Sequence, residues 1–183
     1  MKEQMIMAGS GGQGILSSGK MIAEAFMEEG REITHFPTYG SAVRGGSSSV
    51  TITVSDRRIA CPVAVPGKIT IEVIFNEESL RKYEPYLAEN GLLVYNTSLS
   101  PNGPSRGDIR AYGVPGNRLA EEAGSTRCIN MVMLGALIGI TGICNCETMY
   151  RLVDEVFTGA KAKLAVINKR AIQLGLEYVK ARA

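Results

Sequence analysis

The sequence predicts an α/β fold: a mixed, mainly parallel sheet with a helical C-terminal region. Three observations carry this. Apolar runs of strand length alternate with amphipathic stretches of helix length over roughly the first two thirds of the chain. The first run, "QMIMAG" at 4–9, feeds a glycine-rich turn that opens the first helix. Beyond residue 115 only helical periodicity remains. The length of 183 residues suits one domain spanning 1–183, and neither an internal repeat nor a linker divides it.

The elements follow in order. Residues 15–29 read as a helix, with Ile15, Ile22 and Phe26 at helical spacing, Gly19 on the same stripe and Gly30 placed to end it. "EITHFP" at 32–37 reads as the second strand, so strand, helix and strand imply a parallel unit with a right-handed crossover. "VTITV" at 50–54 alternates Val50, Ile52 and Val54 with Thr51 and Thr53, the pattern of a half-buried strand. After the "SDRR" turn, "IACP" at 59–62 is expected to pair back as a short antiparallel strand, which makes the sheet mixed.

"ITIEVIF" at 69–75 is the next strand, and a helix is expected through "ESLRKYEPYL". "NGLLVYN" and "DIRAYGVP" complete the sheet on either side of a Pro/Gly-rich connector at 100–107. Helices follow at "GNRLAEEAG", 128–143, 147–157 and 160–181. The last is expected to bury a stripe of Leu164, Ile167, Ala171, Leu174 and Tyr178.

Composition narrows the function. The formal net charge of +2, with basic residues scattered, gives no electrostatic case for nucleic acid or an anionic membrane. The N-terminus enters a strand and a glycine loop and reads as no secretory signal, so the chain is expected to be cytoplasmic. Four cysteines, Cys61, Cys128, Cys144 and Cys146, and the lone His35 give no metal-ligand spacing; they read as free thiols of a reducing compartment. His35 reads as structural.

Residues 128–146 carry no charge. That length meets the crude requirement for a membrane span. Three glycines, two asparagines and a threonine interrupt it, and a turn after Gly142 would shorten the helix. It reads as a buried helix, in the core or at a subunit interface.

The stretch "GSGGQGILSSGK" at 9–20 fits two phosphate-loop patterns at once. As a nucleoside-triphosphate loop it fails, because Met21 stands where a magnesium-binding hydroxyl is required and Lys20 already lies inside the helix period. As a dinucleotide loop (Gly9, Gly11 and Gly14) it is well placed between strand and helix. It lacks the acidic residue at the end of the second strand, which reads "THFPTYG". What remains is a loop whose glycines let backbone N–H groups approach a ligand at a helix N-terminus, with the Gln13 amide beside them; a tight turn that only relieves crowding fits the same residues. A second glycine cluster, "YGSAVRGG" at 39–46, follows the second strand and should open on the same sheet edge. Arg44 can clamp a carboxylate or phosphate there, and Tyr39 offers a flat face.

Together, "GSGGQG" and "YGSAVRGG" at this spacing, the Ser55–Asp56 turn, and "NMVMLGA" from Asn130 resemble the gamma subunit of the 2-oxoacid:ferredoxin (acceptor) oxidoreductases, most of all the separate gamma chains of the 2-oxoglutarate and branched-chain 2-oxoacid types. The match runs from residue 5 to about 140. One departure is that "SAV" lacks the acidic residue many members carry before the arginine. The resemblance implies a three-layer α/β/α Rossmann-like domain in a complex that converts a 2-oxoacid and coenzyme A to acyl-CoA, CO2 and reduced acceptor. Thiamine diphosphate and iron–sulfur clusters would sit on partners: thiamine-binding alpha and beta subunits and a ferredoxin-like cluster subunit. A homodimer is possible for the isolated chain, which is expected to be inactive, with no catalytic or metal-binding residue of its own. The cofactor-facing set is Gly9, Gly11, Gly12, Gln13, Gly14, Tyr39, Arg44, Gly45, Gly46 and Asn130, with Arg44 the main charged contact. Two alternatives stand beside it: a stand-alone nucleotide-binding oxidoreductase, and a purely architectural subunit.

Overall fold

A computed structural model describes residues 2–40, 46–61 and 63–182. Six strands form one sheet: β1 (Lys2–Ser10), β2 (Glu32–Tyr39), β3 (Ser47–Ser55), β4 (Ile69–Ile74), β5 (Leu87–Asn96) and β6 (Arg110–Val114). Six helices accompany them: α1 (Ile15–Glu28), α2 (Glu77–Tyr83), α3 (Gly116–Ala123), α4 (Ile129–Thr141), α5 (Cys146–Val156) and α6 (Ala162–Lys180). The strand order is β2-β3-β1-β4-β5-β6.

β3 runs antiparallel to both β1 and β2, while β1, β4, β5 and β6 are mutually parallel. Hence β2 points the same way as β1 but does not touch it. The expected parallel β1–α1–β2 unit is present with β3 inserted into it. The antiparallel element is β3 itself and not "IACP": Ile59–Cys61 form no strand, and Pro62 lies outside the described residues.

Period-two alternation splits the core into two layers. Met5 and Met7 face α1 and the C-terminal helices, whereas Ile6 and Ala8 face Leu80 of α2. The second layer is thin, with α2 its only α-helix among the described residues, so the three-layer arrangement is lopsided. Thr53 departs from the expected half-buried pattern. It is fully buried because Gln4 reaches across, its amide donating to Thr53 Oγ1 at 3.1 Å and to the carbonyl of Val63 at 3.2 Å.

α1 forms over the predicted residues, with Ile15, Gly19, Ile22 and Phe26 buried. A Cβ on Gly19 would lie 2.5 Å from Val50 Cγ1, so only glycine lets the helix approach β3 this closely. The helix expected through Leu87 stops at Tyr83: Pro85 sits in a single 3-10 turn at Glu84–Tyr86, and Leu87 already opens β5.

The long uncharged run becomes α4, closed by Gly142 in the left-handed region (φ 59°). Among the described residues no helix is long and apolar enough to cross a membrane. α4 is buried from Asn130 through Ile138, and its main neighbour is α6. The fully buried face of α6 is Ala165, Asn168, Ala171, Ile172, Gly175 and Val179, turned partly from the expected stripe: Ala171 is buried, Ile167, Leu174 and Tyr178 are half-buried against the core, and Leu164 is exposed. Small residues explain the rotation. A Cβ on Gly135 would fall 1.9 Å from the Ile172 carbonyl oxygen, and one on Gly175 would fall 2.0 Å from that of Val132. At these two glycines backbone packs on backbone, with Ile172 and Val179 buried beside them.

Candidate functional site

Chain direction reverses at β1: the chain leaves it for β2 and β3 on one side and later for β4, β5 and β6 on the other. In open α/β sheets such a switch point opens a crevice beyond the strand C-termini. α1 leaves this crevice over one face of the sheet and α2 over the other. The first glycine segment, Gly9–Gly14, lies at this place.

The segment is held from within. The Ser10 N–H donates to Gln13 Oε1 at 2.7 Å, and the Gln13 N–H donates to the Ser10 carbonyl at 3.2 Å. Gly12 and Gly14 have φ of 93° and 76°. That left-handed backbone costs an L-residue about 1–2 kcal/mol, which glycine avoids. Gly9 sits where a Cβ would meet Gln13 Oε1 at 2.5 Å and Phe75 Cβ at 2.8 Å. One end of the Gln13 amide thus folds the loop; its NH2 has no partner among the described residues.

The second segment meets the first. The Gly11 N–H donates to the Gly46 carbonyl at 2.8 Å, and the Gly40 N–H donates to Ser47 O at 2.8 Å. Register explains this, since Ser10 pairs with Ser47 and Tyr39 with Ser48. Tyr39 is 69% exposed at the end of β2. Arg44 and Gly45 lie outside the described residues.

Asn130 ties the helical layer to the same rim. Six per cent exposed, it donates from Nδ2 to the Gly14 carbonyl at 3.3 Å. It is not the α4 N-cap, a position held by Cys128. Lys20 is on the second turn of α1, paired with Glu24 at 3.4 Å, so the helix begins well before it, as the failed triphosphate pattern requires. At the C-terminal end of β2 stand Thr38 and Tyr39, while Glu32 opens the strand, so the dinucleotide acid is missing there.

Two rim residues escaped the sequence reading. Asn76 donates from Nδ2 to Ser10 Oγ at 2.8 Å across the switch point, and its Oδ1 caps α2 by accepting from the Ser79 N–H at 2.9 Å. Asn96, fully buried at the end of β5, accepts from the Gly116 N–H at 3.0 Å and donates to Asn117 Oδ1 at 2.9 Å. Their signal was present: "VYN" ends β5 in asparagine, and "IFN" places one two residues past the end of β4.

Among the described residues, charge at the rim is sparse. His35 of β2, in register with Ile52 of β3, is pushed below its ordinary value, first by burial. Among the described residues no three His, Cys, Asp or Glu converge to hold a metal ion. Burial raises the Cys128 thiol, and Cys144 is pushed up to about 12, so neither offers a thiolate at neutral pH. The donor set among the described residues does not fit an iron–sulfur cluster.

The family model described as pyruvate ferredoxin/flavodoxin oxidoreductase matches residues 4–178. Ketoisovalerate oxidoreductase subunit VorA of Methanothermobacter thermautotrophicus is 33% identical over 94% of this chain, which spans only 35% of that longer relative. The keto/oxoacid ferredoxin oxidoreductase gamma subunit of Geobacter sulfurreducens superposes with a TM-score of 0.82 at 25% identity, covering 98% of this chain and 99% of that one. A 2-oxoglutarate:ferredoxin oxidoreductase from Magnetococcus marinus, solved with 2-oxoglutarate, coenzyme A and succinyl-CoA, superposes with a TM-score of 0.89 at 26% identity, over 98% of this chain and 31% of that one. The lopsided sheet, the joined glycine segments and the length of the family match agree: this chain belongs to the pyruvate ferredoxin/flavodoxin oxidoreductase family.

Proposed function

We propose that this chain is the gamma subunit of a cytoplasmic 2-oxoacid:ferredoxin oxidoreductase and that its rim forms part of the coenzyme A side of the assembled active site. The observation that carries the reading is the 2.8 Å bond between Gly11 and Gly46, through which two amide-presenting segments share one edge of the sheet. In this reading Gly9, Gly11, Gly12, Gln13, Gly14 and Gly46 form a backbone cradle, the Gln13 NH2 group adds a donor, and Tyr39 presents its ring. Arg44 and Gly45, assigned from the sequence resemblance, complete the set, and Asn130 holds the cradle against α4. Thiamine and iron–sulfur chemistry belong to partner subunits: thiamine-binding alpha and beta chains and a cluster protein. The exposed Tyr39 and Phe36 (69% and 55%) are the surface such partners would cover.

The role of this chain is positional. Preorganised N–H groups at a helix N-terminus favour an anionic group without reorganising as it arrives. Full-length chain assayed alone and after co-expression with its partner subunits tests the reading. Coenzyme A-dependent oxidation of a 2-oxoacid should appear only in the assembled complex. Turnover by the lone chain, or titratable NAD(P) binding to it, would favour the stand-alone nucleotide-binding alternative.

A further inference from the structure

At the end of the sheet opposite the glycine rim, where β1, β4, β5 and β6 begin, a cleft of about 560 Å³ opens under the C-terminus of α4. A bulge forms one wall. Ile69 pairs with Leu87 and Ile71 with Leu92, so residues 88–91 stand opposite Thr70 alone and swing out, with Asn90 at φ 60°. Ile71, Leu92 and Ile143, all buried, give the cleft an apolar floor.

Four charged side chains line this cleft: Glu3, Arg31, Glu89 and Arg110. None of them forms an ion pair among the described residues. Glu89 and Arg110 are exposed, and Arg110 Nε already donates to the Asn90 carbonyl at 3.1 Å. Glu3 and Arg31 are half-buried, so leaving their charges uncommitted is costly. Arg31 lies over the Phe26 ring, 5.9 Å from its centroid, and feels Asp56 only at longer range. Its Nη1 is buried with no hydrogen-bond partner among the described residues. The two groups share one end of the sheet. Glu3 is in register with Val54 of β3, and Val54 with Ile33 of β2, two residues beyond Arg31. The hydroxyls that line the cleft are already in use: Thr70 Oγ1 donates to the Gln4 carbonyl at 3.0 Å and Thr141 Oγ1 to that of Leu137 at 2.6 Å.

Two cations and two anions balance, so neither a free anion nor a free cation is favoured. Two half-buried unlike charges that face one cleft without meeting leave a gap that a molecule carrying both signs closes. We propose that this cleft binds a small zwitterion with an aliphatic body, the chemistry of a leucine-like α-amino acid. Its carboxylate meets the Arg31 guanidinium. Its ammonium lies against Glu3 and the carbonyl end of α4, which carries partial negative charge. Its side chain rests on Ile71, Leu92 and Ile143. The contact is binding only, with no covalent step.

Calorimetric titration of leucine into the full-length chain tests this. Saturable binding tighter than about 1 mM is expected. Two analogues on the same wild-type chain separate the charges. Leucinamide lacks the carboxylate and mimics a peptide N-terminus; isocaproate lacks the ammonium. Each should bind at least about tenfold more weakly than leucine. Arg31→Gln and Glu3→Gln, each with a melting curve like that of wild type, should weaken leucine at least about tenfold. No saturable binding of leucine up to about 10 mM overturns the proposal. So does leucinamide or isocaproate binding as tightly as leucine, or leucine binding unchanged in both variants. The analogues need no variant to fold, and the lone chain is measured, so the result is independent of whether the glycine rim serves coenzyme A.

Discussion

The Gly11 N–H donates to the Gly46 carbonyl at 2.8 Å, so two segments 35 residues apart in sequence meet at one edge of the sheet. The insertion of β3 makes this possible. Its first residue, Ser47, pairs with Ser10, the last residue of β1, so the chain coming from β2 enters β3 at the switch point and then runs away from it. A parallel sheet with β2 beside β1 would join the segments less directly.

Gly14→Ala and Gly12→Ala separate two causes of strain. Both glycines have positive φ, but a Cβ at Gly14 would lie 2.6 Å from Asn130 Nδ2, whereas nothing lies within 4 Å of one at Gly12. Gly12→Ala should cost about 1 kcal/mol from backbone strain alone. Gly14→Ala should cost more, because Asn130 must also yield its bond. Urea melts of the two variants measure the difference, and equal losses would show that the Asn130 contact contributes nothing.

Gly135→Ala should be among the most damaging single methyl additions. The new Cβ would overlap the Ile172 carbonyl oxygen, which is backbone and cannot turn aside, so α4 and α6 must separate. A loss of about 3 kcal/mol is expected. Gly142→Ala has open space around it and should lose only about 1 kcal/mol despite its φ of 59°. Thermal melts on both variants check the ranking.

Glu72 makes stability depend on pH. It is fully buried on β4, and neither carboxylate oxygen has a partner among the described residues. Burial first, and repulsion from Glu84 second, push its carboxyl up to about 8, with Arg106 partly opposing. The folded chain therefore keeps this proton up to about pH 8, while the unfolded chain releases it near the ordinary 4.5. Stability from the neutral carboxyl is complete below about pH 4.5 and falls by about 1.4 kcal/mol per pH unit as the pH rises to about 8. Glu72→Gln should remove that slope. Denaturant melts at pH 5, 7 and 9 should show the variant gaining on wild type as pH rises; parallel curves would mean that Glu72 finds a charged partner.

Local patterns were readable where one residue type answers one physical need. The stripe Ile15, Gly19, Ile22 and Phe26 fixed the helix and its face, and Gly30 and Gly142 fixed helix ends. The two glycine segments were legible as one rim because both follow strands that point the same way. Other features were hidden for identifiable reasons. Sheet order is a long-range property, so the alternation in "VTITV" marked a strand without revealing that it lies between β1 and β2. The face of α6 was legible only in part: Ile167, Ala171, Leu174 and Tyr178 lie toward the core, but the close approach at Gly175 carries no hydrophobic signal, while Leu164 carries a strong one and is exposed. Asn76 and Asn96 were missed because asparagine at a strand end reads as turn punctuation, although both order the rim.

The coenzyme A KM of the assembled complex carrying Gln13→Glu tests the central claim most directly. Glutamate keeps the acceptor that Ser10 requires, so the loop stays folded, but it replaces the outward NH2 donor with a negative charge. A rise in KM of at least tenfold, with kcat and subunit composition unchanged, is the predicted result. An unchanged KM in a fully assembled enzyme would contradict it and leave the glycine rim a structural turn.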